Sequence, residues 1–217
     1  MDEQGGNEKL RRQVFGKSDP VVLEILQSAS VGIAGAGGLG SNAAISLARS
    51  GVGRLVIADF DRVGASDLGR QQYFIDQVGT LKVEALRDIL LSVNPFSIYE
   101  IHRVRLTRRN IPMIFREVEL MIEAFDRAAA KEMLIETWLS QFPGKPIVAA
   151  SGLAGYGKNN RLKTRRLGNL YICGDEESEP PRGISPMAAR VALVANMEAN
   201  LAVELLVKLR AQNKKVR

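Results

Sequence analysis

The sequence contains one cysteine, Cys173, and one histidine, His102. A single cysteine cannot form a disulfide within the chain, and this pair does not supply the four ligands of a structural zinc site. No apolar run approaches the roughly 18 residues that a membrane-spanning helix needs. The polar N-terminal residues also lack the apolar core of a signal peptide. We therefore expect a reduced, cytoplasmic protein that binds neither zinc nor membranes.

Aromatic residues make up only 6% of the chain, whereas Lys and Arg outnumber Asp and Glu by 30 to 24, a net charge of +6. Much of the excess lies in residues 158–166 and 214–217. A positive balance is compatible with nucleic-acid binding. Because aromatic residues are not interleaved with these basic residues, the composition favours a solvated surface plus an anionic nucleotide ligand. We do not expect a nucleic-acid partner.

The length of 217 residues allows one α/β domain with a complete core. We expect a single nucleotide-binding domain over residues 1–217, with an N-terminal arm or helix in residues 1–29. Residues 158–183 are expected to form a hairpin and a surface loop. The alternation of strands and helices predicts an α/β, Rossmann-like fold, with a mostly parallel central sheet and helices on both faces.

A glycine-rich turn interrupts the segment Ser30–Asp61, between a short apolar strand and a helix expected to start near Ser41. Its glycines are Gly35, Gly37, Gly38 and Gly40. Such a unit directs backbone N–H groups and a positive helix end at an anion, here most simply a nucleotide phosphate. Asp59 lies 19 residues past Gly40, where an acidic side chain can bind ribose hydroxyls. The motif suits ATP, NAD and FAD alike, and a tight turn without a ligand is the remaining alternative.

Three further side chains occupy positions in predicted helices and strands that bear on function. Lys82 opens the helix after Gly79, where a cation is unfavourable against the helix dipole unless an anion offsets it; it contacts either a phosphate or water. Asp126 ends a strand and starts a helix, a position that suits an N-cap, a metal ligand or both. Cys173, in a strand-like context, is expected to be a buried apolar residue rather than a nucleophile.

Five motifs in a fixed order distinguish this chain from a generic nucleotide-binding fold. They are G-A-G-G-L-G-S-N, G-V-G-R-L-V-I-A-D-F-D, S-D-L-G-R-Q, V-G-T-L-K and N-P. In this order they closely resemble the ThiF/MoeB/HesA group, bacterial relatives of ubiquitin-activating enzymes. The resemblance covers about residues 11–126 and continues more loosely through A-S-G-L-A-G-Y-G and L-Y-I-C-G-D. This last part is most similar to the short ThiF-type proteins of thiamine biosynthesis.

The resemblance implies an adenylyltransferase that uses ATP and Mg²⁺. Enzymes of this group activate the C-terminal glycine carboxylate of a small ubiquitin-like sulfur carrier protein that ends in Gly-Gly, and they release pyrophosphate. The resemblance also implies a homodimer, in which an arginine of the neighbouring subunit reaches the phosphates. The matching Arg-Gln pair in this chain is Arg12-Gln13.

The same resemblance assigns roles to polar residues around the turn. Arg70 and Lys82 would neutralise the phosphates during attack on the α-phosphorus, a task that consists mainly of positioning and charge neutralisation. Asp126 would bind Mg²⁺. Besides these two cations, the expected ATP-binding residues are the four glycines, Asn42, Asp59, Asp61, Ser66 and Gln71.

The chain departs from the group's pattern at three points. The usual Asp-x-x-Asp-Asn run reads E-A-F-D-R, with Asp126 kept; the usual Ser-Asn-Leu reads S-D-L; and the paired C-x-x-C zinc motifs are missing. Three other functions therefore stay open. They are an ATP-dependent dehydratase acting on a modified tRNA base, a non-catalytic nucleotide-binding protein, and an NAD-dependent oxidoreductase, against which Arg70 and Lys82 argue.

Overall fold

The computed structural model describes the backbone of residues 3–215 and the side chains of residues 6–211. Within that range seven strands form one sheet in the order β3-β2-β1-β4-β5-β7-β6. The strands are β1 (Ser30–Ala34), β2 (Arg54–Asp59), β3 (Ile98–Arg103), β4 (Leu120–Glu123), β5 (Ile147–Ala150), β6 (Lys163–Leu167) and β7 (Leu170–Gly174). All neighbouring pairs are parallel except β6 and β7, which form an antiparallel pair at one edge. The predicted α/β, Rossmann-like fold is confirmed.

Helices cover both faces of this sheet. They are α1 (Glu3–Phe15), α2 (Pro20–Gln27), α3 (Gly38–Arg49), α4 (Lys82–Val93), α5 (Ile111–Ile114), α6 (Ala128–Gln141) and α7 (Ala188–Lys215). The larger core cluster joins one face to α2, α3, α4 and α7, and the smaller one joins the other face to α5 and α6. No helix in the described part of the chain combines the length and the apolar character that crossing a membrane requires.

Strand β1 lies at the centre of the sheet and defines where a ligand can bind. Ile33 pairs in register with Ile57 of β2 on one side and with Ile122 of β4 on the other. The central strands are buried on both faces, which is why they are short apolar runs rather than alternating ones. Because the strand order reverses at β1, the carboxyl ends of β1, β2 and β4 border the crevice where ligands bind in such sheets.

Helix α3 starts at Gly38, three residues before the predicted start at Ser41. The backbone N–H of Ser41 already donates to the carbonyl oxygen of Gly37 at 3.0 Å, as in a regular helix. The low helix propensity of glycine made the later start the natural prediction. Close packing explains the difference, since a Cβ at Gly40 would overlap the carbonyl oxygen of Gly35.

Helix α7 carries a fully buried carboxyl group, that of Glu198. Neither of its carboxylate oxygens has a hydrogen-bond partner among the described residues. Burial raises the pKa of Glu198 well above its ordinary value, and the charge of Glu123 adds to the rise while Lys131 opposes it. Glu198 therefore keeps its proton to a higher pH than an exposed glutamate does.

We predict that Glu198→Gln flattens the pH dependence of stability. Above the unfolded-state pKa, the native chain holds a proton that the unfolded chain has lost. Stability of the wild type should therefore fall with rising pH, by up to about 1.4 kcal/mol per pH unit, until the raised pKa is passed. Urea unfolding between pH 5 and pH 8 measures this slope, with Glu204→Gln, on the exposed side of the same helix, as control. Equal slopes in the wild type and Glu198→Gln would contradict the buried, protonated state.

Candidate nucleotide-binding site

The glycine turn connects β1 to α3 with almost no room for side chains. Gly35 has a φ of +103°, and a Cβ there would lie 2.8 Å from the carbonyl oxygen of Ala124. A Cβ at Gly38 would lie 3.0 Å from Val191 of α7, whereas one at Gly37 would meet no atom closer than 4.0 Å. Gly35 and Gly40 are thus required by the fold itself. Gly37 leaves its backbone open to a ligand.

Asp59, at the end of β2, connects the glycine turn to the loop after β2 through hydrogen bonds of its carboxylate. One carboxylate oxygen accepts a hydrogen bond from the backbone N–H of Ala36 at 2.7 Å, and the other accepts one from Asp61 at 2.8 Å. Asp59 is only half-buried. Its remaining lone pairs therefore lie beside the turn, at the position where sequence reasoning places the ribose.

Lys82 is a cation almost excluded from water, with a relative exposure of 7% at the first residue of α4. Its Nζ lies 3.4 Å from a carboxylate oxygen of Asp67 and 3.9 Å from one of Asp61. Arg70 reaches the same Asp67 carboxylate, at 3.6 Å. The two predicted phosphate ligands therefore share one anionic partner in this structure.

Asp67 is the residue that sequence reasoning missed. Besides the two cations, it accepts hydrogen bonds from the side-chain amide of Gln71 at 2.7 Å and from the backbone N–H of Gly64 at 3.0 Å. One available signal was the aspartate in S-D-L, where the usual pattern of the ThiF/MoeB/HesA group reads Ser-Asn-Leu. The extra carboxylate charge is what lets this position pair with Lys82.

Acidic side chains follow the ends of β2 and β4, the two strands on either side of β1. Burial raises the pKa of Asp61, and the nearby charges of Asp59, Asp126 and Asp67 raise it further, against the opposing charge of Lys82. Asp126 is exposed and follows β4. The structure thus brings Asp126 to the same mouth as Asp59 and Asp61.

Glu123 fixes the turn that carries Asp126. Its fully buried carboxylate accepts a hydrogen bond from the backbone N–H of Phe125 at 2.7 Å and pairs with Nζ of Lys131 at 2.7 Å. Lys131 also donates to the carbonyl oxygen of Ala150 at 3.3 Å. This contact set ties the ends of β4 and β5 to the first turn of α6. The Asp126 turn is therefore held on a rigid support.

The remaining predicted site residues differ in their exposure to solvent. Asn42 is buried and donates to the carbonyl oxygens of Gly38 and Arg70 at 2.7 and 3.3 Å, so it braces the turn. Gln71 is also buried, and its Oε1 has no partner among the described residues. Ser66 is exposed, and its carbonyl oxygen accepts a hydrogen bond from Arg70 at 2.9 Å.

Arg12 lies apart from all of these residues within one chain. It is exposed on α1, where it pairs with Glu8 at 3.2 Å. The same helix ends at Phe15, which lies beside Gly51, just after the C-terminal end of α3. Because α3 has 12 residues and is roughly 18 Å long, Arg12 is remote from the glycine turn at its other end.

Cys173 is fully buried, as predicted. Burial raises the pKa of its thiol to about 12; Glu198, once ionised, adds to the rise, and a contact with Thr164 opposes it. A thiol in this state is not an effective nucleophile near neutral pH.

Comparison with known proteins relates this site to a family. The family model described as "ThiF family" matches residues 7–217. The adenylyltransferase and sulfurtransferase uba4 of Emericella nidulans is 40% identical over 134 residues, which are 61% of this chain and 27% of that protein. UBA4 of Kluyveromyces lactis is 32% identical over 177 residues, 81% of this chain and 39% of that protein. The chain thus matches about a quarter to two fifths of the length of these relatives.

Solved structures give the same fold at lower sequence identity. The tRNA N6-threonylcarbamoyladenosine dehydratase TcdA of E. coli, in complex with ATP, has a TM-score of 0.85 and 21% identity, covering 93% of this chain and 96% of that one. E. coli MccB with AMPCPP and MccA has a TM-score of 0.69 and 21% identity, covering 92% and 62%. At these identities the likeness concerns the fold.

We predict that Asp67→Asn strengthens ATP binding. The substitution keeps the shape of the side chain and removes the negative charge 3.4 Å from Nζ of Lys82. The phosphates then no longer compete with a carboxylate for Lys82. An interaction of about 1 kcal/mol corresponds to roughly fivefold in affinity. Isothermal titration with ATP measures the change, and Asp76→Asn, exposed on the same long loop, is the matched control. Weaker binding by Asp67→Asn would show that Asp67 assists the nucleotide instead.

Proposed function

Because this chain belongs to the ThiF family, we propose that it is an ATP-dependent adenylyltransferase that activates the C-terminal carboxylate of a small ubiquitin-like carrier protein. The observation that carries the proposal is the pair of cations, Arg70 and Lys82, held beside the glycine turn with Asp126 across the mouth. The uba4 relatives, adenylyltransferases by name, support the same chemistry.

ATP would bind with its phosphates over the glycine turn and its ribose at Asp59. The backbone at Gly37 and the start of α3 supply N–H groups and a positive helix end for the phosphates. Arg70 and Lys82 would then exchange their shared partner Asp67 for phosphate oxygens. Such an exchange keeps Lys82 compensated at every stage, which a nearly buried cation requires.

The reaction itself needs little covalent chemistry from the protein. A carboxylate oxygen of the carrier attacks the α-phosphorus, and the bond from that phosphorus to the oxygen bridging the α- and β-phosphates breaks. Pyrophosphate leaves with the electron pair, and an acyl-adenylate remains. The carboxylate is ionised at neutral pH, so no general base is needed. The two cations reduce the repulsion between the carboxylate and the phosphates.

We propose Asp126 as the protein ligand of a nucleotide-bound Mg²⁺. No group of three or more carboxylate, imidazole or thiol side chains in the described part of the chain is arranged to hold a metal by itself. Magnesium at nucleotide sites uses one or two carboxylates together with phosphate oxygens, so a single exposed Asp126 fits this mode. The ion would supply further charge neutralisation on the phosphates.

Two finer features of the proposal depend on partners. Arg12 would reach the phosphates only from a second copy of the chain, since it is remote from the site of its own chain. The resemblance to the ThiF/MoeB/HesA group implies that the carrier ends in Gly-Gly. We propose a ThiS-like carrier, and with it a role in thiamine thiazole formation.

A second candidate is the ATP-dependent dehydration of a modified tRNA base. One observation favours it: the fold matches the ATP-bound dehydratase TcdA over nearly the whole of both chains. The uba4 relatives are matched over about a quarter to two fifths of their length. A non-catalytic nucleotide-binding role would show ATP binding alone, and an NAD-dependent oxidoreductase would be stabilised by NAD rather than by ATP.

We predict that Asp126→Ala lowers the rate of carrier-dependent ATP–pyrophosphate exchange by at least about 100-fold. Asp126 is exposed and follows the end of β4, so its removal should leave thermal stability unchanged. The assay contains Mg-ATP, labelled pyrophosphate and a ThiS-like carrier, with the same carrier lacking its last two glycines as the substrate control. Asp76→Ala, also exposed, is the matched protein control.

Full exchange by Asp126→Ala would refute the role of Asp126. Exchange that never depends on a carrier, together with turnover of a modified tRNA, would replace the first candidate by the second.

A further inference from the structure

The chain's positive charge is unevenly compensated. Residues 158–166 contain five basic side chains, and three of them pair with two carboxylates of the acidic loop that follows β7. Arg161 pairs with Glu177, and both Lys163 and Arg165 pair with Glu176. The charge of this stretch is therefore partly offset by Glu176 and Glu177.

A second group of arginines begins at the last residue of β3, and we call it the arginine strip: Arg103, Arg105, Arg108 and Arg109. All four are exposed. Arg108 pairs with the exposed Glu136 at 2.7 Å. No described carboxylate lies within ion-pair distance of the other three. The arginine strip thus holds uncompensated positive charge on a single short segment without an acidic residue.

An aromatic side chain adjoins the arginine strip. The guanidinium of Arg105 lies over the ring of Phe60, 4.2 Å from its centroid, and Phe60 remains 43% exposed. An exposed aromatic ring beside a guanidinium plane is the type of platform on which unpaired bases stack. Sequence reasoning overlooked this pairing because Phe60 and Arg105 are far apart in the chain.

The arginine strip borders the candidate nucleotide site. Phe60 directly follows Asp59, and Arg103 is the register partner of Asp59 in the β2–β3 pair. A polyanion bound along the arginine strip would therefore run toward the mouth of that site.

The side chains favour a nucleic acid over an acidic protein face. Anchor residues of protein interfaces, chiefly Trp, Tyr and Arg, lie in well-packed pockets that exclude water, whereas all four arginines of the arginine strip are exposed on one short segment. Within residues 103–109, Val104 and Leu106 are packed against the smaller core cluster, and the exposed ring in contact with an arginine of the arginine strip is that of Phe60. Nucleic-acid surfaces instead depend on cations that meet phosphates, with a few stacking contacts.

We propose that the arginine strip and Phe60 form a binding surface for RNA, with the arginines on backbone phosphates and an unpaired base stacked at Phe60. This goes beyond the proposed adenylyl transfer and departs from the expectation, drawn from composition, of no nucleic-acid partner. The surface is tested by binding alone, without ATP or carrier. Its failure is therefore distinguishable from failure of the proposed function.

The test is fluorescence anisotropy of a 5′-labelled, unmodified tRNA transcript titrated with the full chain at several salt concentrations. The triple variant Arg103→Gln, Arg105→Gln, Arg109→Gln should bind at least about tenfold more weakly at low salt. The slope of log affinity against log salt should fall in magnitude by about 2, since each lost phosphate contact removes close to one unit.

The matched control is Arg161→Gln, Lys163→Gln, Arg165→Gln, which removes the same charge at the opposite edge of the sheet. It should change affinity by less than about threefold. Phe60→Ala should weaken binding several-fold with an unchanged salt slope, because it removes stacking and no charge. Circular dichroism verifies that each variant is folded.

Three results would overturn the proposal. Equal losses in both triple variants would mean that net charge alone attracts RNA. Displacement of the transcript by polyglutamate, at the same charge concentration as a single-stranded RNA competitor, would assign the arginine strip to an acidic protein. Absence of binding by the wild type at low salt would exclude an RNA surface altogether.

Discussion

A nearly buried cation at a helix start is the constraint on which the site depends. Lys82 is the first residue of α4, where the positive end of the helix dipole opposes it, and little water reaches it. A charge in that position needs a partner, because breaking a buried pair leaves an uncompensated ion. The carboxylates of Asp67 and Asp61 supply that partner in this structure. A bound triphosphate would meet the same need, and the stability of the site would then depend on its occupancy.

The acidic surroundings of Lys82 have a second consequence. Asp59, Asp61, Asp67 and Asp126 lie close enough together for their charges to raise the pKa of Asp61. Such a cluster would repel a triphosphate unless cations intervene, and Arg70 and Lys82 are the two cations that Asp67 holds at this place. Under the proposed function, phosphates would have to replace Asp67 as the partner of both cations. The arginine strip, on the β2–β3 side of the same mouth, supplies positive charge that no aspartate of this cluster neutralises.

Much of the fold was predictable because local signals and packing agree. The apolar runs gave the buried parallel strands, and the glycine turn gave the strand–turn–helix unit with Asp59 at its side. The start of α3 was wrong by three residues, because the contact that forces glycine at position 40 is made with Gly35 and cannot be read from helix propensity. The central role of Asp67 and the Phe60–Arg105 stack arise from contacts across loops, which a pattern along the chain does not display.

The most direct measurement of the central claim follows one oxygen atom. The substrate is a ThiS-like carrier with ¹⁸O in its C-terminal carboxylate, and it is incubated with the chain and Mg-ATP. Hydroxylamine then captures the acyl group, and mass spectrometry analyses the released AMP. Because attack of the carboxylate on the α-phosphorus transfers one labelled oxygen, we predict AMP that carries a single ¹⁸O. Unlabelled AMP, formed by attack of water on ATP, would contradict carrier activation by this site.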